Sequence, residues 1–182
     1  MAWLPLIWAL MSYWRICVMP ESKEIVINTT PILSLIAATG SLDMLPMLYS
    51  RVWVPWEVCQ EIHVGGSDGF AVSEFQQADW LYKQSQPVTI PVLLRNSLDA
   101  GEAAVIQLAL QEGIPLVAID ENVGRRFARL SGLTLTGSIG ILLKAKRLGY
   151  PVKITDAVRR MRQRGIWLSD TVVEFAVREA GE

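Results

Sequence analysis

Pro115-Leu-Val-Ala-Ile-Asp-Glu-Asn-Val-Gly-Arg-Arg126 decides the fold class. Leu116 to Ile119 is an apolar run too short for a helix, set between Pro115 and the carboxylates of Asp120 and Glu121. It predicts a strand over Pro115–Asp120, and the pattern of Asn122 to Leu130 predicts a helix directly behind it. Upstream, Asp99-Ala-Gly-Glu102 precedes Ala103, Val105, Ile106, Leu108, Ala109 and Leu110. That is a capping-box start with Asp in the Ser/Thr place, followed by a strong helical run that Gly113 ends. Downstream, Leu133 to Leu135 reads as a short strand and Gly137 to Arg147 as a helix stopped by Gly149. Two amphipathic helices, Thr155–Arg164 and Ser169–Glu179, close the chain.

The same alternation extends toward the N-terminus. Glu24 to Asn28 reads as a buried strand, and Pro31 suits the first turn of a helix to about Thr39, capped by Thr29 or Thr30 and stopped by Gly40. Ser41 to Tyr49 reads as a short helix, Val52 to Val54 as a strand, and Pro55 to Ile62 as a helix ended at Gly65-Gly66. Between residues 67 and 98 the pattern predicts a helix around Val72 to Gln77 and an edge strand over Val88 to Ile90, between Pro87 and Pro91. Strands separated by helices imply an α/β domain with a parallel sheet covered on both faces and a site at the carboxyl ends of the strands.

Four residues with oxygen side chains fall at or near those ends. Asn28 leaves the first strand, Glu61 lies late in the helix after the second, Glu102 sits in the first turn of its helix, and Asp120 leaves the central strand. Brought together they form a set of hard oxygen ligands suited to Mg²⁺ or Mn²⁺, with Glu61, Glu102 and Asp120 as the catalytic acids. Each has a plainer use as well: Asp99, Glu102 and Asp120 as helix caps, Glu61 on a solvated helical face, Asn28 in a turn. Other chemistries lack their motifs. Neither G-x-x-x-x-G-K-[ST] nor G-x-G-x-x-G is present, and the single histidine, His63, is expected in a surface loop with no G-x-S-x-G elbow to serve.

Charge is unevenly distributed. The formal net charge is −1, yet residues 1–120 carry −7 and residues 121–182 carry +6. Arg125, Arg126 and Arg129 follow the Asp120 exit on one helix and are candidate contacts to the phosphates neighbouring a cleaved phosphodiester, with solvated helix faces as the plainer reading. The apolar content is 51 %, concentrated at the start: sixteen of the first twenty residues are apolar. That stretch fits neither a secretory signal, because Arg15 follows the apolar run, nor a membrane span, because Arg15, Pro5 and Pro20 interrupt it. It is expected to be an extension, residues 1–23, outside a domain of residues 24–182, so a chain starting at Met19 is expected to fold as the whole does. Two cysteines, Cys17 and Cys59, give no metal-finger spacing and suit a cytoplasmic protein.

Taken in order, Ile25-Val-Ile-Asn-Thr-Thr-Pro-Ile-Leu-Ser-Leu35, Val54-Pro-Trp-Glu-Val-Cys-Gln-Glu-Ile62, Leu98-Asp-Ala-Gly-Glu-Ala-Ala-Val-Ile106, Leu116-Val-Ala-Ile-Asp-Glu-Asn-Val-Gly-Arg-Arg126 and Thr136-Gly-Ser-Ile-Gly-Ile-Leu-Leu-Lys-Ala-Lys146 resemble the successive motifs of PIN-domain proteins. The branch they resemble is an uncharacterised prokaryotic one related to VapC-type toxins. The resemblance implies a three-layer α/β/α fold and a metal-dependent endoribonuclease, often the toxin of a toxin–antitoxin pair, acting on RNA, held by a small antitoxin protein and often a homodimer, with no membrane attachment. Position by position it implies metal ligands at Asn28, Glu61, Glu102 and Asp120, with Thr30 and Glu121 in support. Asn28 departs from the Asp of the wider family: its amide oxygen still ligates a hard cation but brings no negative charge. The alternative is therefore a catalytically weak or inactive PIN-like module that binds a protein partner or RNA.

Overall fold

The computed structural model describes residues 24–65 and 69–182; the extension expected over residues 1–23 lies outside the described residues. The strands are β1 (Ile25–Ile27), β2 (Val52–Val54), β3 (Tyr82–Lys83), β4 (Leu116–Ala118) and β5 (Thr134–Thr136). They form one five-stranded sheet in the order β3-β2-β1-β4-β5, parallel throughout. The register pairs Val26 with Trp53 on one side and with Val117 on the other. Strands buried on both faces read as continuous apolar runs, and Ile25, Val26 and Ile27 are all fully buried. Burying a side chain such as Ile25 or Ile27 contributes about 1.5–3 kcal/mol.

The helices are α1 (Thr29–Thr39), α2 (Leu45–Leu48), α3 (Trp56–Val64), α4 (Val72–Gln77), α5 (Val92–Ser97), α6 (Ala100–Glu112), α7 (Asn122–Leu130), α8 (Ser138–Arg147), α9 (Ile154–Gln163) and α10 (Asp170–Glu179). α1, α8, α9 and α10 pack together as one group, while α6 lies against β1 and β4 and touches α5 and α7. α3 contacts both α1 and α6, and so brings the two helix groups together at one end of the sheet. The three-layer α/β/α architecture is thus as the sequence implies. No helix among the described residues is long and apolar enough to cross a membrane.

Several expectations are corrected. The edge strand is Tyr82–Lys83, paired through Trp53 and Tyr82, and Val88–Ile90 is irregular. Pro87 and Pro91 carry no backbone N–H, and the Val88 N–H goes instead to Glu57 Oε1 at 3.2 Å. A helix not foreseen, α5, follows Pro91 at its N-cap. The helix expected over Ser41–Tyr49 shrinks to Leu45–Leu48, after turns at Ser41 to Met44. His63 lies on the last turn of α3 rather than in a loop, with Nδ1 2.5 Å from the Cys59 carbonyl oxygen.

The chain runs from β1 to β2 and β3 on one side, then returns to place β4 and β5 on the other. Such a reversal opens a crevice at the carboxyl ends of the two strands where it occurs. Asn28 follows β1 and Asp120 lies just beyond β4, so both stand at that crevice.

Candidate active site

α1 begins immediately after β1, with Asn28 as N-cap rather than either threonine, and no side chain caps it. The two hydroxyls expected there are engaged elsewhere. Thr29 Oγ1 donates a short hydrogen bond to Glu61 Oε2, and Thr30 Oγ1 donates one to Glu121 Oε1. Asn28 Nδ2 stands 3.5 Å from Glu121 Oε2. The strand-one exit is thereby tied to α3 on one side and to the strand-four exit on the other.

α6 supplies the next wall. Asp99 caps it as predicted, Oδ1 accepting from the Glu102 N–H at 2.7 Å. Gly101 N–H donates to Glu61 Oε1 at 3.0 Å. A Cβ on Gly101 would fall 2.7 Å from Glu61 Oε2 and 2.9 Å from Asn28 Oδ1. A side chain at position 101 would push these oxygens aside, and glycine spares them that shift. Asn28 Oδ1 is buried and has no hydrogen-bond partner among the described residues, while the Glu61 carboxylate beside it accepts from Thr29 and Gly101.

Glu102 is buried beside α7. Its Oε1 accepts from the Gly124 N–H at 3.2 Å, and a Cβ on Gly124 would collide with that oxygen. Burial pushes the Glu102 carboxyl up to about 7, and the negative charges of Asp99 and Glu121 push the same way. Asp120 is also held above the ordinary carboxylate range, chiefly by burial and further by Glu121. The Ser138 N–H at the start of α8, 2.8 Å from Asp120 Oδ1, and the Arg125 charge offset part of that rise.

All four predicted oxygen ligands therefore stand at one end of the sheet, with Glu121 joining Asn28 to Thr30. Glu61, Glu102 and Asp120 each turn to a separate backbone donor, and no group of three or more His, Cys, Asp or Glu among the described residues is drawn together as a metal cage. The ion pairs of the described residues, Arg51–Glu24, Lys146–Glu182, Arg159–Asp156 and Arg162–Asp170, involve none of these acids.

The three candidate RNA contacts separate. Arg126 and Arg129 are exposed. Arg125 is half-buried and donates from Nη1 to the carbonyls of Ile119 at 2.7 Å and Thr136 at 3.1 Å, fastening α7 across β4 and β5. Gly101 was not singled out from sequence, and Thr29 was read only as a possible helix cap. Their signals were faint: a threonine doublet at a strand exit, and a glycine inside a helix's first turn, where it costs about 1 kcal/mol relative to alanine.

No curated protein matches the chain. A family model described as DUF3368: PIN domain matches residues 24–182, the span over which the sequence motifs, the parallel sheet and the row of acids all lie. The chain belongs to this PIN-domain family.

Proposed function

We propose that this protein is a metal-dependent endoribonuclease, whose catalytic acids are Glu61, Glu102 and Asp120. Membership of the PIN-domain family points to nuclease chemistry in general. The observation that carries the finer reading is the oxygen row at the strand ends: Asn28 Oδ1 buried without a donor, Glu61 across from it, and Glu102 and Asp120 both held above their ordinary titration range by burial. Buried acidic oxygens that the backbone donors and Arg125 only partly offset are unfavourable on their own, and a divalent ion would relieve them.

The donor set fits such an ion, since every candidate atom is a hard oxygen. Asn28, Glu61, Glu102 and Asp120 would hold Mg²⁺ or Mn²⁺, which supplies a water of lowered pKa and charge for a phosphodiester under attack. Thr29 and Thr30 orient Glu61 and Glu121 through their hydroxyls. Glu121 links the two strand exits. Arg126 and Arg129, exposed on α7, are placed to meet neighbouring phosphates.

The resemblance to the VapC-related branch supports a toxin role, a small antitoxin partner, a homodimer and a cytoplasmic location, with function residing in the domain of residues 24–182. The competing reading, an inactive module that binds RNA or a protein, is favoured by the neutral Asn28 and by the dispersed acids. Cleavage of mixed-sequence RNA across an Mg²⁺ and Mn²⁺ titration separates the two. Metal-dependent cutting that EDTA abolishes and Glu102→Gln greatly reduces supports the nuclease; a folded protein that binds RNA and never cuts it at any metal concentration supports the module.

A further inference from the structure

A cavity of about 620 Å³ opens beside Asp120 and runs to the segment joining α9 to α10. Its lining includes the buried or half-buried Thr30, Asp120, Thr136 and Ser138 and the exposed Trp167, Val172 and Phe175. Its volume suits a small ligand. Trp167 is 83 % exposed, the most exposed of the large hydrophobic residues described, so the fold gives up most of what burying an indole would contribute. In the lining lies Ser34, itself 1 % exposed, with an Oγ that has no hydrogen-bond partner among the described residues. Ser34 stands one helical turn after Thr30 on α1, so the face that meets Glu121 continues into the cavity.

We infer that this cavity is a nucleobase subsite, in which the base next to the cleaved phosphate stacks on Trp167 and turns its polar edge toward Ser34, Thr136 and Ser138. The inference rests on the ribonuclease reading of the neighbouring acids. A flat heteroaromatic ring with a hydrogen-bonding edge matches a lining that combines exposed aromatic side chains with buried and half-buried hydroxyls. Asp120 belongs to the acid row and to this cavity alike, so a nucleotide engaged at the row has its neighbouring base within reach of the indole. Most of the lining comes from residues 121–182, whose net charge is +6, which favours a polyanion over an acidic or neutral helix.

The test is binding of a labelled, mixed-sequence single-stranded oligoribonucleotide to the full chain, read by fluorescence anisotropy, with Ca²⁺ in place of Mg²⁺ throughout to hold back cutting while keeping a hard divalent cation present. Adding Trp167→Ala should weaken binding about tenfold or more, and Trp167→Phe by no more than about threefold, as loss and retention of one stacking platform predict. A ribose-phosphate strand without bases should bind equally to the Trp167→Ala protein and to its parent. Affinities for the oligoribonucleotide within about twofold for Trp167→Ala and its parent overturn the subsite, as does RNA that fails to bind either. Light scattering on the same samples tests a protein occupant: a change of mass with Trp167→Ala at unchanged RNA affinity overturns the subsite in favour of a subunit contact. Trp167-dependent binding with no cleavage by the unsubstituted chain would leave the base site standing and remove the nuclease; cleavage with an unchanged KM in Trp167→Ala would do the reverse.

Discussion

Glu102→Gln should make the metal-free protein more stable at alkaline pH. In the folded chain the Glu102 carboxyl is pushed up to about 7 from an ordinary 4.5, first by burial and then by Asp99 and Glu121. A raised acid binds more protons folded than unfolded. Its contribution to stability is therefore fully present below 4.5 and lost as pH climbs through 7. At about 1.4 kcal/mol for each pH unit the full shift would correspond to roughly 3 kcal/mol; relaxation and water penetration around the charged form trim this to about 1–2 kcal/mol. Glutamine keeps an oxygen to accept from the Gly124 N–H and carries no charge to bury. Urea unfolding at pH 4.5 and pH 8 in EDTA should give similar midpoints at the lower pH and a higher midpoint for the variant at the upper. Adding Mg²⁺ at pH 8 should stabilise the parent and leave the variant nearly unmoved. A variant no more stable than its parent at pH 8 would refute the idea that Glu102 is a buried, uncompensated charge.

Gly101→Ala should act on the site rather than the core: its Cβ would lie 2.7 Å from Glu61 Oε2 and 2.9 Å from Asn28 Oδ1, so Mg²⁺ affinity by calorimetry should drop at least about tenfold while the circular-dichroism spectrum is kept. Asn28→Asp adds a negative charge beside Glu61 and should tighten Mg²⁺ while destabilising the metal-free fold by about 1–3 kcal/mol; a variant with unchanged metal affinity would show that position 28 is no ligand. Asp99→Ala removes the cap on the Glu102 N–H and should cost about 1 kcal/mol in urea unfolding, whether or not metal is present.

The strands that build the crevice were legible because burial on both faces leaves an uninterrupted apolar signature, as in Ile25 to Ile27 and Leu116 to Ile119. β3 was not, since it has only two residues, Tyr82 and Lys83, and is defined by pairing with β2. α5 was hidden for a similar reason: six residues after a proline carry too little periodicity. Asn28, Glu61, Glu102 and Asp120 could be listed together from their places at strand and helix ends and from the family resemblance, while the spacing alone left each a plainer structural use. What the acids touch was out of reach. The bonds from Thr29 to Glu61, from Gly101 to Glu61 and between Asn28 and Glu121 join residues 32, 40 and 93 positions apart, and nothing local in the chain records them. The threonine doublet read as a cap turned out to spend both hydroxyls on carboxylates.

The most direct measurement is RNA cleavage by the full chain and by Asp120→Asn, side by side across an Mg²⁺ and Mn²⁺ titration, with circular dichroism confirming that both are folded. Asp120 is the acid shared by the oxygen row and the adjoining cavity. Cleavage by the parent that rises with metal, vanishes in EDTA and falls by at least about a hundredfold in Asp120→Asn is the predicted result. Undiminished cleavage by a folded Asp120→Asn protein would contradict it.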